Sequence, residues 1–225
     1  MSRSVLVVAA HPDDELLGCG GTLIRHAQEG DTVHIVILAE GATSRDHPNE
    51  TDAQEGTAEL KLACADAARI IGAQPPVLVG FPDNRMDRLE LLDITKLVET
   101  HVERTRPSIV YTHHGGDLNI DHQLTHQAVL TACRPVGSGV EAIYAFETLS
   151  STEWGFPDRP FVPNRFVNIE NQLEQKFKAL ACYSSEMRGF PHPRSPEAVE
   201  ALARSRGATS ALSAAEGFMV VREIV

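Results

Sequence analysis

The sequence predicts an α/β fold in which a parallel sheet has helices on both faces. Segments typical of strands and helices alternate at βαβ spacing over about the first 130 residues, which is the pattern of a parallel sheet. Val5 to Ala10 is an unbroken apolar run, as expected of a strand buried on both faces. The chain has 225 residues, of which 42% are hydrophobic and 23% charged, so we expect one globular domain over 1–225.

The individual elements follow from apolar runs and from the residues that end them. The helix that follows the first strand ends at Gly30, and an alanine-rich helix ends at Gly72. Pro75 and Pro76 introduce the third strand. The predicted strands lie at 5–10, 32–39, 77–79 and 108–112, and the predicted helices at 16–28, 53–71, 89–104 and 121–132.

The C-terminal part is less regular. Short strands broken by Pro and Trp are predicted within 142–168, and helices over 169–183 and 196–205. We expect these residues to form an irregular C-terminal cap on the same domain.

The composition excludes several classes of protein. A formal charge of −11, with no basic cluster, argues against binding of nucleic acid. No apolar run has the roughly 20 residues of a membrane span, and the run at 5–10 is too short for a signal peptide. The four cysteines are scattered without a CxxC pair, as in reduced cytosolic proteins. We therefore expect a cytoplasmic protein, and the sequence leaves open whether it forms a homo-oligomer.

Chemically informative residues follow two of the predicted strands. Ligands of parallel sheets bind beyond the carboxyl ends of the strands, so the loops after Ala10, Ala39, Val79 and Thr112 should converge on one site.

The loop after the first strand carries His11, Asp13 and Asp14, and the region after Thr112 leads to His122. His11, Asp14 and His122 can supply the three protein ligands of a catalytic zinc, with Asp13 as a spare carboxylate beside the metal. The plainer alternative is that Asp13 or Asp14 is only a helix N-cap.

These residues form motifs of a known family. Ala-His-Pro-Asp-Asp-Glu at 10–15, followed by Asp-His at 121–122, resembles the LmbE/PIG-L family of zinc-dependent deacetylases, which remove acetyl groups from N-acetylglucosamine units. The resemblance implies an LmbE-like, three-layer Rossmann-like fold and amide hydrolysis. It also implies that His11, Asp14 and His122 bind zinc, that Asp13 is the general base for the bound water, and that Asp121 orients the site.

The chain departs from the best-known pattern of the family at position 119. The thiol-cofactor deacetylases have His-Pro-Asp-His, whereas this chain has Asn119 in the first position. Asparagine can donate a hydrogen bond to an oxyanion but cannot deliver a proton, so we expect Asn119 to assist catalysis only in that way. The acid that protonates the leaving amine is left open among Asp13, His113, His114 and His192.

Three further residues are candidates for contacts with the substrate. Asp83 lies in a loop that matches a sugar contact in the family, although after Pro82 it is equally typical of a turn. The thiol-cofactor enzymes have an arginine near the start of the second helix, and residues 49–60 contain none. We expect Arg45 to take its place as a contact with the sugar or a phosphate, the alternative being a solvated loop residue. His192 lies in the proline-rich segment 189–195, which is either a lid or a plain connector.

These observations predict a zinc-dependent hydrolase that deacetylates a small amino sugar, with Fe²⁺ as an alternative metal. Two other classes stay open. Two histidines and one carboxylate also form the site of non-haem Fe(II) oxygenases, although such an enzyme has no need of Asp13. A catalytically silent sugar-binding protein on the same fold is the other alternative.

Overall fold

The computed structural model describes residues 2–41 and 50–225, and of residues 50–55 the backbone alone. Within these ranges the strands are β1 (Ser4–Ala9), β2 (Thr32–Ala39), β3 (Val77–Phe81), β4 (Ile109–His113), β5 (Ala142–Phe146), β6 (Arg165–Asn168) and β7 (Ala215–Glu223). The α-helices are α1 (Asp14–Gln28), α2 (Glu50–Ile71), α3 (Leu91–Thr105), α4 (Ile120–Ala132), α5 (Leu173–Leu180) and α6 (Pro196–Thr209). None of the helices in the described ranges is long and apolar enough to cross a membrane.

The strands form one mixed sheet in the order β3-β2-β1-β4-β5-β7-β6. Strands β1 to β4 are parallel, as predicted. Strand β5, in the C-terminal part, is parallel to β4, and β7 runs antiparallel between β5 and β6. The C-terminal part is therefore more than an irregular cap, because it adds β5, β6 and β7 to the sheet. Short strands are predicted within 142–168, where β5 and β6 lie, but β7 was missed because it carries Glu216, Arg222 and Glu223 among its apolar residues.

The central strand β1 explains the layering. Alternate side chains of a strand point to opposite faces. Val5 and Val7 pack in the cluster that includes residues of α1, α2 and α5, whereas Leu6 and Val8 pack against α3 and α4. All four are fully buried. Helices therefore cover both faces of the sheet, and the predicted three-layer α/β fold class is confirmed.

Helix α1 lies unusually close to the sheet and is broken in its middle. At Cys19 the backbone leaves the helical region, with φ −145° and ψ 16°. A Cβ on Gly18 would lie 2.2 Å from the Phe146 ring, and one on Gly21 would lie 2.8 Å from the side chain of Ile169. Glycine at these two positions lets the helix approach its neighbours, which supports a packing role for this glycine-rich stretch.

The break in α1 exposes backbone groups that a buried ion pair then satisfies. Leu17 O accepts a hydrogen bond from Lys176 Nζ at 3.0 Å. The N–H groups of Gly21 and Thr22 donate to the Glu216 carboxylate at 2.9 and 2.7 Å. Lys176 and Glu216 are themselves paired at 2.7 Å and are almost fully buried. The pair therefore replaces hydrogen bonds that a continuous helix would make internally.

The order of the strands fixes where a ligand can bind. Strand β1 pairs with β2 on one side and with β4 on the other. The chain thus leaves β1 and β4 in opposite directions, and a crevice opens between the loops that follow them. His11 lies in the first of these loops, and the segment before His122 is the second.

Candidate active site

Three side chains present donor atoms to one another in a triangle. His11 follows β1, Asp14 begins α1, and His122 lies in the first turn of α4. His11 Nδ1, Asp14 Oδ2 and His122 Nε2 are each 3.2 Å from the other two. Nitrogen and oxygen ligands of a tetrahedral zinc lie roughly 3.3–3.6 Å apart, given zinc–ligand distances of 2.0–2.2 Å. The predicted ligands are thus brought together in an arrangement that can hold a metal ion.

The other nitrogen of His11 faces carboxylates. His11 Nε2 lies 3.0 Å from Asp121 Oδ2 and 3.2 Å from Asp83 Oδ1. Asp121 also accepts the backbone N–H groups of Asn84 and Met86 at 2.7 and 3.0 Å. With a metal ion bound, a proton held between His11 Nε2 and Asp121 would leave Nδ1 as the donor atom toward the ion. Burial alone would lower the pKa of His11, but the hydrogen bonds to Asp121 and Asp14 outweigh it and raise this pKa to about 10.

His122 has an outer partner of the same kind. Its Nδ1 lies 3.1 Å from Asp117 Oδ1. The hydroxyl groups of Ser151 and Thr152 donate to the two oxygens of Asp117. Burial would raise the pKa of Asp117, but His122 and the two hydroxyls lower it to about 2. Asp117 is therefore a carboxylate that joins a candidate metal ligand to the loop after β5.

Asp13 has an unusual backbone conformation, and its side chain does not cap the helix that it precedes. Its φ is 96°, in the left-handed region that a non-glycine residue rarely adopts. Its backbone N–H donates to Glu15 Oε2 at 3.1 Å, and Glu15 Oε1 accepts the hydroxyl of Tyr183 at 2.7 Å. The Asp13 side chain makes no cap hydrogen bond to α1. Asp13 therefore occupies the N-cap position of α1 without capping the helix through its side chain.

The carboxylate of Asp13 is fully buried, with one oxygen hydrogen-bonded and the other without a hydrogen-bond partner among the described residues. Oδ2 accepts a hydrogen bond from Arg194 Nη1 at 3.1 Å. No polar group among the described residues gives a hydrogen bond to Oδ1. Burial raises the pKa of Asp13 well above its usual value, although the charge of Arg194 opposes the shift. Oδ1 is thus a buried acceptor without a hydrogen-bond partner among the described residues.

The two histidines at the carboxyl end of β4 make hydrogen-bond contacts with other groups. His113 Nε2 accepts the backbone N–H of Ala10 at 2.9 Å, and Nδ1 lies 3.3 Å from the hydroxyl of Thr148. Burial, together with the nearby His122, lowers the pKa of His113 well below its usual value. His114 Nε2 lies 2.9 Å from the carbonyl of Arg159. Both rings therefore already have hydrogen-bond contacts in the structure.

Asn119 has a capping role in the structure. Its Oδ1 accepts the backbone N–H of Asp121 at 2.8 Å, which caps α4. Its Nδ2 donates to Asn84 Oδ1 at 2.8 Å. Asn119 also lines the cleft. Its hydrogen bond to an oxyanion stays a prediction, because both ends of its amide contact protein groups.

A cleft of about 330 Å³ opens above these residues. Of the expected substrate contacts, Asp83 and His192 line it, and Arg45 lies outside the described residues. His192 Nδ1 accepts the backbone N–H of Arg194 at 3.0 Å, so the 189–195 segment forms one wall. The other lining residues are His11, Pro12, Gly41, Asn84, Asn119, Ser150, Trp154, Glu186, Arg188 and Arg194.

Sequence reasoning missed several residues of this site. Arg194 was expected only as part of the 189–195 segment, and nothing in the sequence connects it with Asp13, 181 positions away. Nothing in the sequence indicates that Trp154 lines the same cleft either. Asp117 could have been found, because it lies in the same loop as Asn119 and His122 and is an acid near a candidate metal ligand.

Comparison with known proteins decides the family. The family model described as PIG-L, GlcNAc-PI de-N-acetylase, matches residues 6–133. The chain belongs to the PIG-L family. The matched range contains the three donor residues and Asp13. Among relatives, this PIG-L protein is 30% identical over 189 residues to the uncharacterized deacetylase YaiS of Escherichia coli, covering 81% of this chain and 91% of that protein.

Solved structures share the fold. The N,N'-diacetylchitobiose deacetylase from Pyrococcus horikoshii superposes with a TM-score of 0.80 at 19% identity, over 98% of this chain and 84% of that one. GalB, the 4-carboxy-2-hydroxymuconate hydratase from Pseudomonas putida, also gives 0.80, at 24% identity and over 99% and 98% of the two chains. At these identities the likeness shows the fold alone. Taken with the family match, these findings confirm the prediction of an enzyme of the amide-hydrolysing LmbE type.

Proposed function

We propose that this PIG-L protein is a Zn²⁺-dependent hydrolase that removes the N-acetyl group from an N-acetylglucosamine-type amino sugar. The observation that carries the proposal is the arrangement of His11, Asp14 and His122 as metal donors beside Asp13, whose buried Oδ1 has no hydrogen-bond partner among the described residues. The family match and the deacetylases among the relatives support the same reaction. Under this proposal His11, Asp14 and His122 hold the metal, and Asp121 and Asp117 orient the two histidines.

When bound, Zn²⁺ would lower the pKa of a water toward about 7 and polarise the acetyl carbonyl. Asp13 Oδ1 accepts a proton from the water as the water oxygen attacks the acetyl carbon. Arg194 holds Oδ2 at 3.1 Å and so keeps Oδ1 turned toward the reacting atoms. Asp13 is thus the general base, as the sequence predicts.

The carbon–nitrogen bond then breaks, and the products are acetate and a free amine. The amine nitrogen needs one proton, and Asp13 holds the one that it took from the water. The contacts of His113 and His114 place their ring nitrogens against other groups, which argues against either as the acid. We propose Asp13 for this step, with His192 at the wall of the cleft as the alternative.

The hydratase of the same fold makes a second reaction worth testing. Its substrate is named as a carboxylated muconate, whereas the cleft here carries the carboxylates of Asp83 and Glu186 beside its arginines. Arg194 already pairs with Asp13 and lies 3.5 Å from Glu186. This balance of charge favours an uncharged sugar amide over a polyanion.

The test is release of acetate and amine from a panel of N-acetylglucosamine derivatives. The protein is stripped of metal and refilled with Zn²⁺ or with Fe²⁺. We expect metal-dependent release, and we expect Asp13→Asn to lower kcat by about 10²- to 10⁴-fold. The exposed Asp158→Asn is the control and should match wild type.

Other outcomes separate the alternatives. If metal binds stoichiometrically and no derivative releases acetate, the deacetylase proposal is refuted. Oxygen consumption by the Fe²⁺ form would then favour an oxygenase, and hydration of a muconate would favour the hydratase reaction. Failure to bind metal would refute the assignment of His11, Asp14 and His122.

A further inference from the structure

The cleft carries one large side chain that the hydrolytic chemistry does not use. Trp154 lines the cleft with 56% of its surface exposed, and it is the single tryptophan of the chain. Exposing an indole forgoes the free energy that its burial would supply. Trp154 lies at the wall of a cleft that is otherwise lined mostly by polar residues. The exposed indole can therefore pack against a ligand that has one apolar face.

The turn that carries Trp154 is firmly held. The hydroxyl groups of Ser151 and Thr152 donate to Asp117, and the Ser151 N–H donates to the carboxylate of Glu153 at 3.0 Å. The Trp154 N–H donates to the Ser151 carbonyl at 3.2 Å. The indole is thus displayed from a preorganised backbone, which reduces the entropic cost of binding a ligand.

The same turn contacts residues that hold a candidate metal ligand, His122, and the proposed base, Asp13. Asp117, which accepts the hydroxyls of the turn, lies 3.1 Å from His122. On the other side, the Ser150 hydroxyl accepts a hydrogen bond from Arg194 Nε at 2.8 Å, and Arg194 holds Asp13. A group resting on Trp154 is therefore placed relative to the donor triangle and to the base by two short chains of contacts.

We propose that Trp154 is the platform on which the pyranose ring of the substrate stacks. The proposal rests on the function proposed above. The C–H groups on one face of a pyranose are apolar and pack on the indole, while its hydroxyl groups meet the polar side chains of the cleft. The acetamido group then points to His11, Asp14 and His122. The substrate class is accordingly a cyclic N-acetylated hexosamine, and open-chain N-acetylated amines lack the face that the platform recognises.

Because Trp154 is the only tryptophan, intrinsic fluorescence reports on the platform directly. Metal-stripped protein is titrated with N-acetylglucosamine and with N,N'-diacetylchitobiose. N-Acetylethanolamine serves as the matched probe, since it has the same amide and no ring. We expect a saturable change in tryptophan emission with the two sugars and none with N-acetylethanolamine. The absence of any change with either sugar would overturn the proposal.

Kinetics of the Zn²⁺-loaded enzyme give the second readout. We expect Trp154→Ala to raise KM about tenfold or more while kcat stays within about threefold, and Trp154→Phe to restore KM to within about threefold of wild type. Phe156→Ala is the control, because Phe156 is a half-exposed aromatic residue two positions away that does not line the cleft. A wild-type KM in Trp154→Ala would overturn the proposal.

The two proposals fail in different ways. Saturable emission changes without acetate release from any sugar would refute the deacetylase function and keep the platform. Acetate release with a wild-type KM in Trp154→Ala would keep the function and refute the platform. The titration uses the wild-type protein, so it decides the matter even if the alanine variant does not fold.

Discussion

Replacing Lys176 with methionine should strongly destabilise the protein. Lys176 is 2% exposed, and its ammonium is the only counter-charge at hydrogen-bond distance from Glu216 among the described contacts. In Lys176→Met the carboxylate keeps donors from Gly21 and Thr22 but is left as a buried negative charge, and Leu17 O loses its hydrogen bond. Removing one partner of a buried pair costs about 3–5 kcal/mol, and the remaining donors place the expected loss near about 3 kcal/mol.

Urea unfolding at pH 7 measures this loss as a fall in the midpoint concentration. Lys178→Met is the matched control, because Lys178 lies on the same helix and pairs at 2.6 Å with Glu174 in solvent. The control should unfold at the wild-type midpoint. Adding Glu216→Gln to Lys176→Met should cost less than the two single changes together, since both act on one pair. Equal midpoints for Lys176→Met and Lys178→Met would refute the reasoning.

Three further predictions concern the site and the acid limit of stability. Asp117→Asn should weaken Zn²⁺ binding about 10- to 100-fold, measured by competition with a chelator, and an unchanged Kd would show that His122 does not need this carboxylate. Arg194→Ala should lower kcat about tenfold or more with a smaller effect on KM, and Arg194→Lys should recover part of it; equal rates would remove Arg194 from the proposed mechanism. Burial would raise the pKa of Asp31, but the hydrogen bonds from Arg3 outweigh it and lower this pKa to about 2. The ionised Asp31 therefore stabilises the folded protein above about pH 4, and this contribution is lost as the pH falls toward 2. Asp31→Asn should therefore cost about 1 kcal/mol at pH 7 and flatten the acid dependence of unfolding, and a wild-type acid profile would contradict this.

Much of the fold follows from local patterns. Strand β1 is apolar on both faces, and the glycines and prolines that end the helices are visible in the sequence, so the parallel half could be predicted. The break in α1 at Cys19 could not, because it depends on side chains contributed by α5 and β7. The antiparallel strand β7 was also missed, since its pairing with β5 and β6 is non-local.

The candidate site divides in the same way. His11, Asp14 and His122 could be predicted together because parallel strands bring their carboxyl ends to one edge. Arg194 and Trp154 come from segments whose position relative to that edge is set only by packing of the C-terminal part. The capping role of Asn119 was missed because asparagine can either cap a helix or donate to a ligand, and sequence does not distinguish these.

The hydrogen bond from Gly21 to Glu216 joins residues 195 positions apart. During synthesis, the helix that begins with Asp14 leaves the ribosome long before the carboxylate that completes its second half is made. A growing chain therefore contains all three candidate metal donors before Glu216 is present. At that stage α1, which begins with Asp14, still lacks its hydrogen bonds to this carboxylate. The second half of α1 is therefore completed only when β7 has joined the sheet.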